Sequence, residues 1–266
     1  MTSPLSFLKY SANGNHFILL DGFKGAREPE SNLVVKLCDP IFGVGADGVA
    51  FIGPAKNESE AFNFRLWNAD GGEAEMCGNA ARIAAKHFMA LHSVGKAEVQ
   101  FKTMNGVYLA RLDGERLWLK MTEKSEDLRV DSGIFKDFTH WYYLNTGVPH
   151  LVLQVPDVDK IDLMAESPIW RRHTAFPRGT NVDYISVDDP NVPFVRLRVF
   201  ERGVEGETWS CGTGVAAVAW ACQKFYGWQE QVTVHTKGGD HIVRWDREGS
   251  LWYSGEIKLC FKGELV

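Results

Sequence analysis

The chain has 266 residues, of which 45% are hydrophobic and 24% charged, the balance of a soluble globular protein with room for two domains. The sequence contains no apolar stretch of membrane-spanning length and no signal-peptide pattern, so we expect a cytoplasmic protein without membrane contact. The net charge of −5, with both signs interspersed, argues against general binding to nucleic acid and indicates a protein that handles a small molecule.

The hydrophobic pattern of the first half predicts short strands followed by a helix. Residues 16–22 (HFILLDG) form an apolar run that ends in turn residues, and residues 62–71 (FNFRLWNADG) alternate before a glycine, as strands do. The glycine-rich residues 43–48 lack the full spacing of a dinucleotide-binding loop and precede a strand-like segment, which excludes a Rossmann site. An alanine-rich helix is predicted over residues 78–90 (GNAARIAAKHFMA).

The second half of the chain shows the same order of elements. Residues 150–157 (HLVLQVPD) and 194–203 (FVRLRVFERG) are predicted strands. Residues 212–225 (GTGVAAVAWACQKF) are predicted to form a helix that is apolar on all sides and therefore buried. The remaining strand-like segments of both halves are residues 106–112, 116–121, 241–245 and 251–255.

Sliding the chain along itself reveals an internal repeat. Cys77-Gly78 matches Cys211-Gly212 at a spacing of 134 residues. Three further pairs follow in the same order: residues 16–19 with 150–153 and 45–47 with 179–181 at a spacing of 134, and residues 65–68 with 198–201 at 133. The change of spacing implies a one-residue insertion just before the second cysteine.

The repeat predicts an α+β fold of two pseudo-symmetric domains. Each is expected to be a curved, mainly antiparallel sheet wrapped around one central helix. We expect the N-terminal half to comprise residues 1–121 and 252–266 and to carry Cys77. The C-terminal half, residues 122–251, carries Cys211.

Both cysteines stand immediately before a predicted helix, each followed by a glycine and then by Asn79 or Thr213. The free amides and positive dipole of a helix start favour a thiolate, so we expect the thiol pKa to be lowered there, subject to burial and to other neighbours. The same amides can cradle a substrate carboxylate. A thiolate on one side of an α-carbon can remove its proton while a thiol on the other side delivers one. The paired motif therefore predicts a cofactor-independent amino-acid racemase or epimerase, with Cys77 and Cys211 as its acid–base pair.

The other chemistry-bearing residues receive simpler interpretations. Three cysteines are interpreted as small buried hydrophobic residues: Cys38, Cys222 and Cys260. An odd number of cysteines without an export signal does not indicate a disulfide framework. The eight histidines form no obvious ligand cluster, so no metal site is predicted. Three glutamates are interpreted as solvated or capping carboxylates: Glu73, Glu205 and Glu207.

Two long segments around the cysteines resemble the signature segments of the diaminopimelate epimerase family. They are residues 68–88 (NADGGEAEMCGNAARIAAKHF) and 201–219 (ERGVEGETWSCGTGVAAVA). Four shorter matches support them: residues 14–17 (GNHF), 43–48 (GVGADG), 179–184 (GTNVDY) and 237–245 (KGGDHIVRW). The resemblance implies an enzyme that interconverts LL- and meso-diaminopimelate without pyridoxal phosphate. It also implies two domains with catalytic cysteines at facing helix starts and, for many members, a homodimer.

The resemblance also implies roles for individual residues. Glu201 and His150 are similar to the residues that tune the cysteine pair. Gly78-Asn79 and Gly212-Thr213 resemble the backbone cradle for the reacting carboxylate. Four polar residues resemble the remaining contacts to the substrate: Asn15, Asn68, Asn181 and Arg202. Arg202 is suited to the distal carboxylate, because an arginine fork binds a carboxylate through two hydrogen bonds.

The chain departs from the family pattern at a few positions. Ser11-Ala12 replaces the usual His-Gly, His16 replaces an aspartate, and Val148 replaces an asparagine at the non-reacting end of diaminopimelate. A second hypothesis therefore keeps the mechanism and changes the substrate, for instance to histidine or glutamate. A third hypothesis is a non-catalytic ligand-binding relative, against which both retained cysteines argue.

Overall fold

The computed structural model describes residues 5–93, 95–121, 126–127 and 130–265. The chain divides into two compact units, an N-terminal unit of Met1–Lys120 with Ser254–Val266 and a C-terminal unit of Met121–Tyr253. In the described part of the chain, no helix has the length and apolar character needed to cross a membrane.

Strands and helices are numbered in chain order. The N-terminal unit contains β1 (Leu5–Ala12), β2 (Asn15–Asp21), α1 (Ser31–Cys38), β3 (Gly48–Gly53), β4 (Phe62–Asn68), β5 (Glu73–Ala74), α2 (Gly78–His92), β6 (Glu98–Thr103), β7 (Gly106–Asp113) and β8 (Arg116–Lys120). The C-terminal unit contains β9 (Glu126–Asp127), β10 (Trp141–Asn145), β11 (Pro149–Gln154), α3 (Leu163–Arg171), β12 (Asn181–Ser186), β13 (Phe194–Glu201), β14 (Gly206–Thr208), α4 (Gly212–Tyr226), β15 (Gln231–Thr236), β16 (Gly239–Trp245) and most of β17 (Leu251–Gly255). The chain then ends in the N-terminal unit with β18 (Lys258–Leu265), and short 3₁₀ turns lie at Gly22–Lys24, Ser132–Phe135 and Val158–Lys160.

The strands of the N-terminal unit pair in the order β18–β1–β2–β3–β4–β6–β7–β8, with β5 against β4. The pairs β2–β3 and β4–β6 are parallel and the others are antiparallel. In the C-terminal unit the order is β9–β10–β11–β12–β13–β15–β16, with β14 against β13. The parallel pairs are again the corresponding ones, β11–β12 and β13–β15. The predicted fold class, two similar α+β domains with mainly antiparallel sheets, is confirmed.

One long helix is central to each unit. Helix α2 contacts β1–β4 and β6–β8, and helix α4 contacts β10–β13, β15 and β16. Alanines make these helices slender and allow more than half of their residues to be buried, because they bring helix propensity without bulk. The shorter helices α1 and α3 cover the opposite sheet faces, where Val34 and Leu163 contribute to two hydrophobic clusters.

The observed strand pairing corrects the predicted repeat by one residue. Phe17 pairs with Gly48 in the N-terminal unit, and His150 pairs with Asn181 in the C-terminal unit. The strands are therefore related by a spacing of 133, and His150 corresponds to Phe17 instead of His16. A shift of one residue moves every side chain to the other face of a sheet. The corrected spacing therefore changes which side chains occupy equivalent positions in the two units. The extra residue lies in the β13–β14 turn, after which Cys77 and Cys211 correspond at 134.

Candidate active site

Both cysteines occupy the N-cap position of a central helix. Cys77 precedes α2 with extended backbone angles (φ −140°, ψ 122°), and Cys211 precedes α4 in the same way (φ −126°, ψ 109°). Their carbonyl oxygens accept the first helical hydrogen bonds, from Ala81 and Val215, each at 2.9 Å. The backbone amides of the first residues of each helix have no hydrogen-bond partner within the helix and point out of its N-terminal end. The prediction that both cysteines stand at helix starts is confirmed.

In the N-terminal unit, polar side chains are connected around the start of α2. The Asn79 amide nitrogen donates to Asn15 Oδ1 at 2.6 Å, and Asn15 in turn lies 3.3 Å from Asp47 Oδ2. The fully buried Arg82 donates to Asn79 Oδ1 at 2.7 Å and to Asn13 Oδ1 at 2.8 Å. These bonds hold Asn15 and Asn79 together, two of the predicted substrate contacts. Cys77 itself is half-buried.

In the C-terminal unit, a chain of hydrogen bonds leads away from Cys211. Its Sγ lies 3.3 Å from Thr213 Oγ1, which lies 3.0 Å from His150 Nε2. His150 Nδ1 lies 2.7 Å from Asp183 Oδ2, and both side chains are completely buried. A carboxylate can only accept, so Nδ1 carries the proton and Nε2 is left as an acceptor. The hydroxyl of Thr213 can then donate to Nε2 and accept the S–H of Cys211.

The electrostatic surroundings of Cys211 correct the expected lowering of its pKa. Burial raises the pKa of the Cys211 thiol well above its ordinary value, and the negative charges of Glu201 and Asp183 add to the rise. The Thr213 hydroxyl and the Gly214 amide act in the opposite direction but do not compensate. Burial outweighs the helix dipole because the dipole contributes only about 0.3–1 kcal/mol at exposed sites. Cys211 is therefore a thiol at neutral pH.

The position of Glu201 also disfavours the charged form of its carboxyl. Burial raises the pKa of the Glu201 carboxyl and the charge of Asp183 raises it further, against the opposing influence of Thr208 and His150. Glu201 is the last residue of β13, and the β14 hairpin brings Thr208 back beside it. A carboxyl whose charged form is disfavoured can take up and return a proton near a thiol.

The sequence profile described as diaminopimelate epimerase matches residues 7–126 and 142–260. A relative described as diaminopimelate epimerase from Pelotomaculum thermopropionicum is 35% identical over 98% of this chain and 98% of its own length. Another of the same description, from Methanothrix thermoacetophila, is 36% identical over 97% of this chain and 95% of its own.

The chain belongs to the diaminopimelate epimerase family. The predictions of this family and of an isomerase are confirmed. Among solved structures, a phenazine biosynthesis protein of the PhzF family from Bacillus anthracis has a TM-score of 0.71, covers 100% of both chains and is 15% identical. At that identity the likeness concerns the fold alone.

The structure distributes the family's candidate residues over the two units. Gly78 and Gly212 are the first residues of α2 and α4. Asn181 is buried, donates to the Pro149 carbonyl at 2.9 Å and accepts the Arg202 amide at 2.8 Å. The side chain of Arg202 donates to the Arg178 carbonyl at 2.8 Å.

Asn68 differs from the other candidates because it is exposed at the end of β4. Its backbone forms a turn with Gly71 and Gly72, with hydrogen bonds of 2.9 and 2.8 Å. The structure gives it the surroundings of a turn residue, and its substrate contact stays a prediction. Asn68 corresponds in the repeat to Glu201, so the N-terminal unit has an exposed amide where the C-terminal unit has a carboxyl with a raised pKa.

Sequence reasoning missed several residues that hold the site together. Asp183, Arg82 and Asp47 were not singled out, although each bonds directly to a candidate residue. A usable signal existed for two of them. Asp183 is a charged residue inside an apolar strand, and Arg82 is a charged residue in an alanine-rich helix. Charged groups in such positions are buried only with partners.

The three glutamates interpreted as solvated or capping carboxylates are ion-paired at partly or fully exposed positions: Glu73 with Arg65, Glu205 with Arg171 and Arg172, and Glu207 with Arg198 and Lys237. The interpretation of Cys260 as buried is wrong. Cys260 is exposed, whereas Cys38 and Cys222 are buried as expected, and none of the five cysteines, all of them described, forms a disulfide.

The histidines also form a cluster that the sequence did not suggest. Asp21, His87 and His92 place their donor atoms within 4.8 Å of one another. The residues were missed because two of them lie on α2 and the third, at the end of β2, is distant in sequence.

Proposed function

We propose that this protein interconverts LL- and meso-diaminopimelate with Cys77 and Cys211 as acid–base pair and without a cofactor. The observation that carries the proposal is the buried chain from Cys211 through Thr213 and His150 to Asp183, in a member of this family. Such a chain can supply and recover a proton at a sulfur that is otherwise hard to ionise.

The chemistry needs one thiolate and one thiol. In one direction the Cys77 thiolate takes the α-proton, so that its S–H bond forms as the Cα–H bond breaks. Cys211 gives its proton to the opposite face of the same carbon and becomes the thiolate. In the other direction the roles exchange. The raised pKa of Cys211 supports its assignment as the thiol of the resting protein.

The Thr213–His150–Asp183 chain supports formation of the Cys211 thiolate that the reverse direction requires. Cys211 passes its S–H proton to the Thr213 hydroxyl as that hydroxyl gives its own proton to His150 Nε2, which leaves a thiolate and an imidazolium. The Asp183 carboxylate stabilises the imidazolium, as a buried acid does for a catalytic histidine. The same transfers in the opposite order restore the thiol. Glu201 is a second group through which this proton can leave. His150 and Glu201 thus tune Cys211 without touching the substrate carbon.

The remaining candidate residues are proposed to hold the substrate. The first amides of α2 and α4, with Gly78-Asn79 and Gly212-Thr213, cradle the reacting carboxylate, because helix starts bind anions. Arg202 binds the distal carboxylate, and Asn15, Asn68 and Asn181 contribute further polar contacts. Support comes from the family's motif positions and, for Asn15 and Asn79, from their mutual hydrogen bond.

The test is isotope exchange in D2O. Incubation of the reduced protein with LL-diaminopimelate should introduce deuterium at the α-carbon and form the meso isomer, as followed by mass spectrometry and chiral chromatography. Cys77→Ala and Cys211→Ala should abolish interconversion, whereas the exposed Cys260→Ala should leave it unchanged. If folded, reduced wild-type protein introduces no deuterium, diaminopimelate is rejected as the substrate.

A second candidate is the same chemistry on another amino acid, such as histidine or glutamate. The observation that favours it is Val148, which lies in the turn that Thr146 closes just before His150, where the family pattern has an asparagine. The same exchange assay with a panel of amino acids separates the candidates.

We also propose that the protein is a cytoplasmic homodimer that binds neither nucleic acid nor membranes. Light scattering tests the dimer, and cell fractionation tests the location.

A further inference from the structure

A compact group of possible metal ligands lies in the N-terminal unit, away from Cys77. Asp21 Oδ2 lies 3.1 Å from His87 Nε2 and 3.0 Å from His92 Nε2. His92 is the last residue of α2, so the group lies at the opposite end of that helix from the cysteine, roughly 20 Å along its axis. The cysteine chemistry uses none of these residues.

The spacing of the donor atoms suits a small divalent ion. Histidine nitrogens and carboxylate oxygens bind zinc at about 2.0–2.2 Å. Two such ligands at angles near 95° to 110° are separated by roughly 3.0–3.4 Å, which agrees with both measured separations from Asp21. The three donor atoms lie within 4.8 Å of one another, so small side-chain adjustments bring them around one ion. Two imidazoles and one carboxylate are a zinc-type set, whereas magnesium and calcium prefer oxygen alone.

Hydrogen bonds to residues outside the group orient two of the three proposed ligands. His87 Nδ1 lies 3.1 Å from the Tyr10 hydroxyl, and Asp21 Oδ1 accepts the Phe23 amide at 3.0 Å. Ligating histidines and carboxylates in metal sites generally have such second partners. The tyrosine suits either state of the histidine. It can donate to a bare Nδ1, or accept from Nδ1–H once Nε2 is bound to metal.

A cleft of about 460 Å³ reaches the group at His92. His92 lines the cleft and its side chain is 19% exposed, whereas His87 and Asp21 are almost fully buried. Glu58, Glu60 and Glu98 also line it with one lysine, Lys96, and of these acidic residues Glu98 is paired with Arg111. A cleft lined mainly by one sign of charge attracts ions of the opposite sign.

We propose that Asp21, His87 and His92 form a binding site for one divalent zinc-class ion. The ion joins the C-terminal end of α2 to the end of β2, and the remaining coordination positions face the cleft through water. This role is structural and independent of the proposed epimerase chemistry.

The experiment is calorimetric titration of zinc into the metal-free, reduced, full-length protein. We expect one equivalent to bind, and His92→Gln to weaken binding at least about tenfold, since loss even of an outer partner of a ligand costs about 10- to 100-fold. His87→Gln and Asp21→Asn should have the same effect. The matched control is His173→Gln, a partly buried histidine of the C-terminal unit, which should bind like the wild-type protein. At the same zinc concentration, the melting temperature should rise less for His92→Gln than for the wild-type and control proteins.

A cobalt titration distinguishes this site from the thiols. Cobalt at the proposed site has nitrogen and oxygen ligands, so its spectrum should lack a thiolate-to-metal charge-transfer band. The proposal is overturned if no stoichiometric zinc binds, which would leave a hydrogen-bonded cluster only. It is also overturned if His92→Gln binds as tightly as the wild-type protein, or if the cobalt spectrum shows thiolate ligation. His92→Gln keeps the test valid even if the more buried variants do not fold, because His92 is partly exposed.

Discussion

Asp183 offers the sharpest test of the proposed proton path. Its Oδ2 lies 2.7 Å from His150 Nδ1, and neither side chain is accessible to solvent. Substitution Asp183→Asn keeps the size and shape of the side chain but removes its charge. If the Asn oxygen faces Nδ1, the histidine keeps its tautomer and loses only the charged partner. If the amide nitrogen faces Nδ1, the tautomer is reversed and Thr213 loses its acceptor at Nε2.

The magnitude follows from the strength of the bond. A buried hydrogen bond to a charged group contributes about 1.5–3 kcal/mol and a neutral one about 0.5–1.5 kcal/mol. The difference of about 1–1.5 kcal/mol corresponds to a loss of about 5- to 12-fold in kcat. A reversed tautomer costs far more, up to about 10⁴-fold in the corresponding histidine–aspartate pair of serine proteases. We therefore expect kcat to fall by at least about fivefold, with KM little changed, because Asp183 is not proposed to contact substrate.

The assay combines activity with a direct measurement on the thiol. Deuterium exchange into LL-diaminopimelate gives kcat and KM. The pH dependence of Cys211 alkylation gives the thiol pKa, which should fall in Asp183→Asn because the Asp183 charge raises it. Slower catalysis together with an easier ionisation of Cys211 distinguishes a role in proton transfer from simple loss of structure.

The control for this prediction is Asp240→Asn. Asp240 lies 2.6 Å from His235 Nδ1 in an exposed pair, so the same change is made at a histidine–aspartate contact outside the site. Melting curves of both variants check folding. Wild-type kcat in Asp183→Asn, with an unchanged alkylation profile, would refute the reasoning.

Three further predictions concern the same region. Cys77 should be alkylated before Cys211 at neutral pH, because Cys77 is half-buried while Cys211 is buried with a raised pKa; equal rates in peptide mapping would contradict this. Glu201→Gln should move the alkylation profile of Cys211 to lower pH, since its negative charge raises that pKa; an unmoved profile would reject the coupling. Gly214→Ala should lower kcat more than stability, because the new methyl group would lie 3.0 Å from Asp183 Oδ1; normal kcat in a folded variant would show that the carboxylate can move freely.

The central helices could be predicted closely from the sequence. The predicted helix over residues 78–90 is observed as Gly78–His92, and that over 212–225 as Gly212–Tyr226. Both predictions rest on local properties, namely alanine-rich composition and a glycine after the N-cap cysteine. The second helix also ends locally, at Gly227, which has a positive φ of 73° and donates to Gln223.

The strand register could not be predicted, for a physical reason. Strands β2, β3, β11 and β12 are buried on both faces, so their apolar runs do not alternate and do not indicate which side chains face the central helix. The matching histidines, His16 and His150, suggested a spacing of 134. Pairing between strands, which depends on long-range contacts, sets the spacing at 133.

The corrected register explains how one fold supports two different half-sites. At the positions where the C-terminal unit has His150, Asp183 and Glu201, the N-terminal unit has Phe17, Ala50 and Asn68. The repeated fold places a cysteine at each helix start, and the C-terminal unit surrounds Cys211 with groups that can hold and transfer protons. A two-base reaction needs one base and one acid at the same moment. The charged residues at two of the three equivalent positions, Asp183 and Glu201, add to the effect of burial on the Cys211 thiol, because a nearby negative charge disfavours the thiolate.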